Sequence, residues 1–170
     1  RPGDAIPELQ SLRNANKTAS SASRRLAQAH ALNGELETAA AIADELLQTN
    51  PRDAEGVLLK GQLLIQQGKR DQAFAQFELA AKLDPNSSRA QFALGKAYAA
   101  RGDVERARRA YNQVLALNPR AAEAQVALSR LALADGKVEN SLRFAREAVR
   151  DAPSSLEARL SLVRGLLARG

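Results

Sequence analysis

The chain has 170 residues, 45 % of them apolar but only 4 % aromatic, and its 25 basic and 19 acidic side chains give a net charge of +6. With no cysteine it has no disulfides, thiolate zinc sites or cysteine nucleophiles. No apolar run approaches the roughly 20 residues needed to span a bilayer, and packing that rests on Ala and aliphatic residues suits stacked helices better than strands.

Residues 1–19 stand outside the periodicity of the rest. Leu9 and Leu12 fit one helix starting near Pro7, because proline is tolerated in a first turn. That helix is either the second helix of a degenerate earlier repeat or a cap over the apolar face of 20–53, since the ends of arrays need shielding. A linker is expected through Asn14–Ser23. From there on, Gly34, Gly68, Gly102, Gly136 and Gly170 recur every 34 residues, and Pro51, Pro85, Pro119 and Pro153 repeat at the same interval. A fixed period of this size means a repeat array. Each glycine follows one helix and lets the chain reverse, and each proline closes the next. The full repeats are 20–53, 54–87, 88–121 and 122–155, and 156–170 supplies the first helix of a fifth. The expected class is therefore all-α, an α-solenoid of antiparallel helix pairs with about nine to ten helices. Beginning at Arg1 without methionine and ending at Gly170 midway through a repeat, the chain reads as an excerpt of a longer protein.

The apolar columns identify the faces to be buried. In the second helices, Ala39, Ala73, Ala107 and Ser141 form one column, Ala43, Phe77, Tyr111 and Ala145 a second, and Leu46, Ala80, Val114 and Ala148 a third. Offsets of four and three place them on one stripe. In the first helices the small residues Ala27, Gly61, Gly95 and Ser129 permit close approach, so a bulky substitution at Gly95 should cost about 1–3 kcal/mol by overpacking. Lys60 interrupts the column of Leu26, Leu94 and Leu128, with Leu59 next door. His30, Leu64, Tyr98, Ala132 and Leu166 follow. Asp71 and Asp103 sit where the second helices begin, meeting free backbone donors.

The 34-residue period with Leu94-Gly95, Tyr98, Gly102, Ala107, Tyr111 and Pro119 resembles the tetratricopeptide repeat, across residues 20–170. The departures are Lys60, Ser141 in place of alanine, and an early column of Ser23, Val57, Gln91 and Gln125 without tryptophan. The resemblance implies a right-handed superhelix whose concave surface is lined mainly by first helices. Some members hold a C-terminal carboxylate with lysine, asparagine and arginine. The matching places here are Arg24, Gln28, Leu59, Glu123 and Ala127, so that clamp is not reproduced.

Catalytic chemistry finds little support. His30, the only histidine, occupies a packing column and lacks a metal set or nucleophile. Gly95-Lys96 lacks the remaining residues of a phosphate loop. Glu35 and Glu37 read as helix-start charges. Asn16-Lys17-Thr18 and Asn86-Ser87-Ser88 match the short glycosylation pattern, a frequent chance match. No cofactor or metal is expected.

What the packing columns leave on the first helices is a candidate groove. Arg24, Leu58, Phe92, Val126 and Leu160 form one row, apolar from Leu58 onward. Gln28, Gln62, Lys96, Arg130 and Arg164 form another, four residues on, so both share a face. Arg89 lies beside them. An apolar rail next to cations suits a protein or peptide segment with hydrophobic anchors and acidic groups. The bland alternative is packing by Phe92, Val126 and Leu160 with solubilising cations.

The leading expectation is thus a non-enzymatic interaction scaffold. The first alternative is nucleic-acid binding or cytoplasmic regulation. It rests on the basic total and on Arg106, Arg108 and Arg109 in repeat 88–121, where seven basic residues face two acidic ones. Sparse aromatics argue against nucleic acid. The second alternative is an interaction domain of a larger enzyme. The phrase Leu131–Lys137 is similar in style to bacterial arrays of envelope assembly, secretion and exopolysaccharide export, which favours periplasm or envelope over cytoplasm. At the C-terminal end, Leu162 and Leu166 lack a covering helix, so that end should self-associate or fray.

Overall fold

The computed structural model describes residues 2–15 and 20–170, and among these it contains α-helices and no strands. A short 3-10 turn, Pro2–Ala5, leads into α1 (Ile6–Ala15). The helices α2 (Ser20–Leu32), α3 (Leu36–Thr49), α4 (Ala54–Gln66), α5 (Arg70–Leu83) and α6 (Ser88–Ala100) follow. The last four are α7 (Val104–Leu117), α8 (Ala122–Ala134), α9 (Val138–Asp151) and α10 (Leu156–Arg169). The chain divides into two compact units, Arg1–Pro85 and Asn86–Gly170. The expected linker is shorter than 14–23, because Asn14 and Ala15 belong to α1 and Ser20–Ser23 to α2. Residues 16–19, with the Asn16-Lys17-Thr18 match, lie outside the described residues.

The hairpin turns repeat one hydrogen-bond scheme. At Gly102 (φ 76°) the backbone is left-handed, which costs glycine nothing. The Gly102 amide donates to Ala99 and the Asp103 amide to Tyr98, satisfying the orphan carbonyls that end α6. The Asp103 carboxylate then accepts from the Arg106 amide (3.0 Å) and caps α7. Asp71 lies in the first turn of α5, whose N-cap is Lys69. Asp53, Ser87 and Ser155 cap α4, α6 and α10 through their side chains, whereas Ala121, in the corresponding place before α8, has no side-chain acceptor. The residues before the prolines, Asn50, Asp84, Asn118 and Ala152, stand at helix C-caps.

All twelve residues of the three second-helix columns are buried. Volumes across the hairpins compensate. A Cβ on Gly61 would lie 2.5 Å from the Phe77 ring, and one on Gly95 would lie 2.6 Å from the Tyr111 ring. Each glycine thus makes the notch that its aromatic partner fills. Where the second helix carries Ala43 or Ala145, the facing column holds Ala27 or Ser129 instead. Lys60 turns outward to Asp44 (2.6 Å) while Leu59 takes the buried place.

In unit 1, Leu26, Ala27, Ala39, Ile42, Ala43, Leu59 and Leu63 form a core against which Ile6 and Leu9 of α1 pack; Leu12 is exposed. In unit 2, polar residues take part in the core. Ser129, Ser141 and Ser161 are fully buried and joined by 2.9 Å hydrogen bonds, with Ser161 donating to Ser129 Oγ. Gln125 donates to Pro119 O (3.0 Å) and to Asp151 (2.9 Å), fixing the start of α8 to the end of α9. Arg150 first, then Gln125, hold the Asp151 carboxyl down at about 2.

Candidate functional site

Unit 2 carries a half-open cavity of about 650 Å³. Phe92, Lys96 and Ala99 approach from α6 and Tyr111 from α7. The offset of four between Phe92 and Lys96 sets them on one face of α6. Val126, Ala127, Arg130 and Leu131 come from α8, with Glu123 one turn earlier, and Ser155 and Glu157 close the α10 side.

The floor is aromatic. The Phe92 and Tyr111 rings lie 5.6 Å apart at 51°, a tilted pair, and Lys96 Nζ sits 6.0 Å above Phe92. Burial pushes the Tyr111 phenol up to about 12, with the charge of Arg130 acting in the opposite direction. The rim carries both signs. Arg130 reaches Glu157 at 3.6 Å, both groups more than half exposed, so the pair is weak and open to exchange.

Of the expected groove residues, Phe92, Lys96, Val126 and Arg130 meet at this cavity. Val126 is only 3 % exposed and forms wall rather than rail. Leu58, 1 % exposed, is core of unit 1, so the apolar row does not present it to a ligand. Gln62 is half-buried and Arg89 exposed in the first turn of α6. Leu160 and Arg164 are exposed on α10 and do not line the cavity. Arg24 pairs with Asp53 at 2.5 Å.

Tyr111, Glu123 and Glu157 also line the cavity, although the sequence pattern did not place them in the groove. Tyr111 was legible only as packing, and it serves both roles. Glu123 and Ala127 stand at two of the places compared with the carboxylate clamp, and both line the cavity. An acid at Glu123 opposes a terminal carboxylate there.

His30 is buried, with Nδ1 2.6 Å from Glu35 Oε2. The hydrogen bond from His30, then that from Asn33, holds the Glu35 carboxyl below its ordinary range. Glu35 therefore anchors the α2–α3 turn instead of capping α3. Among the described residues no group of three or more His, Asp or Glu is placed to hold a metal ion, and no helix is long and apolar enough to cross a membrane. Arg106 is paired with Asp103, and Arg108 with Asp135 (2.5 Å).

The charge is divided unevenly. Residues 86–170 hold 15 basic and 8 acidic side chains, +7, whereas residues 1–85 hold 10 and 11, −1.

A tetratricopeptide repeat family model matches residues 1–55, 58–108 and 92–155. A DnaJ homolog subfamily C member 7 homolog of Schizosaccharomyces pombe is 31 % identical over 65 residues, 38 % of this chain. The chain spans 14 % of that relative's length. Among solved structures, TTC0263, a thermophilic TPR protein of Thermus thermophilus, is similar with a TM-score of 0.78 at 22 % identity, covering 98 % of this chain and 91 % of its own. YrrB, described as a TPR protein with an unusual peptide-binding site, gives 0.72 at 16 % identity, covering 94 % and 82 %. MamA gives 0.72 at 16 %, covering 86 % of each chain. These likenesses concern the fold, an α-solenoid of helix pairs. With the family model matching most of its length, the chain belongs to the tetratricopeptide repeat family.

Proposed function

We propose that the protein is a non-enzymatic scaffold that holds a segment of a partner protein at the cavity of unit 2. The observation that carries this reading is the cavity itself. Its apolar walls, Phe92, Tyr111, Val126 and Leu131, stand beside two exposed cations, Lys96 and Arg130. Its volume lies within the roughly 300–1,000 Å³ of ordinary ligand pockets, enough for an apolar anchor side chain. The partner segment carries an aromatic or branched aliphatic anchor with acidic residues close by. The acidic residues meet Lys96 and displace the weak Glu157 contact from Arg130. The +7 charge of unit 2 favours the same acidic partner. Glu123 selects against a free C-terminal carboxylate and for an internal segment.

Selection from a random peptide library tests this. The chain should enrich peptides with a bulky apolar residue flanked by Asp or Glu, and the folded Lys96→Glu/Arg130→Glu variant should lose that enrichment. Identical selections by the two proteins would remove the cavity from the account.

Nucleic-acid binding is the weaker reading, because ion pairs occupy two of its three arginines. A titration with oligonucleotides at low and high salt separates the two. The style of residues 131–137 supports a bacterial envelope, secretion or export setting, which copurification with the intact gene product would test.

A further inference from the structure

The floor of the unit 2 cavity holds a polar group that the fold does not use. Tyr111 is 3 % exposed and lines the cavity. Among the described residues none hydrogen-bonds its hydroxyl; burial, then the charge of Arg130, are what act on the phenol. Its oxygen is not one of the sealed polar atoms that lack a partner. The small open part of this side chain therefore includes the hydroxyl, and that part faces the cavity.

Packing does not require the oxygen. In unit 1, Phe77 fills the notch over Gly61 with Cε1 and Cδ1 at 2.5 and 2.7 Å from the place of a Cβ. Tyr111 sets the same two atoms over Gly95 at 2.6 and 2.8 Å. Phe77 is as well buried and carries no hydroxyl. The ring of Tyr111 belongs to the core, and its oxygen is left for whatever enters the cavity.

An open cavity leaves such a hydroxyl to water. A ligand that displaces the water must replace its hydrogen bond or strand a buried donor. Lys96 and Arg130 can only donate, and Ser155 Oγ already accepts from the Ala158 amide (3.3 Å). The ligand atom that meets these groups is an acceptor. Placement of charge decides its kind. Lys96 and Arg130 are exposed at the rim, whereas Phe92, Val126 and Leu131 form apolar walls. A carboxylate is paired at the rim and penalised beside those walls. A neutral oxygen on an aromatic ring is not. The ring packs against the tilted Phe92–Tyr111 pair while the oxygen reaches the phenol.

We propose that the anchor of the partner segment is a tyrosine whose hydroxyl oxygen accepts a hydrogen bond from Tyr111, and that Tyr111 selects it over anchors without oxygen. This rests on the reading of the cavity as a peptide site. A site built to bond a ligand hydroxyl discriminates against the analogue lacking it, because its own polar group is then left unpaired.

Fluorescence polarisation with labelled peptides tests the proposal. The peptides share acidic flanks and differ only in the anchor: tyrosine, phenylalanine or 4-methylphenylalanine, which has the shape of tyrosine without its oxygen. The 170-residue chain should bind the tyrosine peptide about tenfold more tightly than the other two. Tyr111→Phe keeps the ring over Gly95 and the helical circular dichroism spectrum. It should bind all three peptides alike, and the two without oxygen no more weakly than the unaltered chain does. Equal affinities for the unaltered chain, or a tyrosine preference that survives in Tyr111→Phe, overturns this inference while leaving the cavity as a peptide site. Failure of every peptide to bind, or binding that Lys96→Glu/Arg130→Glu leaves unchanged, overturns both.

Discussion

Gly95 and Tyr111 share one notch in the core of unit 2. An alanine at Gly95 would gain about 1 kcal/mol in helix propensity. Its Cβ, however, would lie 2.6 and 2.8 Å from a buried ring that Phe92 holds from another side. Overpacking of this kind costs about 1–3 kcal/mol, so Gly95→Ala should be net destabilising. A lowered urea midpoint with an unchanged slope would show it. Tyr111 also sets a pH limit. Its folded pKa of about 12 exceeds the ordinary 10. The folded state therefore keeps the proton after the unfolded chain has lost it. That contribution is complete below pH 10 and is lost as pH rises through 12. Tyr111→Phe should flatten the fall in stability between pH 10 and 12, as followed by chemical denaturation at each pH. His30 was legible as a packing residue from its column, but its bond to Glu35 was not. Only the turn at Gly34 brings that acid back to the ring nitrogen Nδ1.

At the scale of elements, α8, α9 and α10 are held by hydroxyls as well as by apolar contact. Ser129→Ala would strip Ser161 and Ser141 of a buried partner, at a cost of about 1–2 kcal/mol. Replacing Ser129, Ser141 and Ser161 together by alanine removes every member of the network and should be nearly neutral. Thermal unfolding of the single and triple variants would separate these outcomes, and an additive loss would contradict the shared network. The helix hairpins themselves were legible because the glycine and proline ladders punctuate a 3.6-residue pattern. Their N-caps were less so. Asp103 was identified, but Asp53, Ser87 and Ser155 do their capping two residues after a proline, where the sequence reads as loop. The linker at 14–23 was overestimated for a related reason. Its polar composition does not reveal that Ser23 packs inward from α2.

At the scale of the whole molecule, charge is the property most open to test. The +7 of residues 86–170 against the −1 of residues 1–85 should steer acidic partners toward the second unit. Association of an enriched acidic peptide should slow by about tenfold or more between low salt and about 0.5 M, while dissociation changes less. Stopped-flow fluorescence at several ionic strengths would measure this. A salt-independent association rate would mean that the peptide binds through apolar contact alone.

By itself the sequence determined the all-helical class, the 34-residue unit, the columns that pack and the small residues that permit close helix approach. These are local consequences of helical periodicity, glycine conformation and side-chain volume, and they repeat with the period. Tertiary structure alone decided which residues of a shared column remain open. Leu58, Phe92, Val126 and Leu160 occupy one position in four successive repeats, yet they range from core through half-buried ring and cavity wall to exposed side chain. Exposure depends on what stacks over each helix, and ion pairs such as Arg108–Asp135 join residues far apart in sequence. Neither quantity is periodic, so no pattern in the chain announces it.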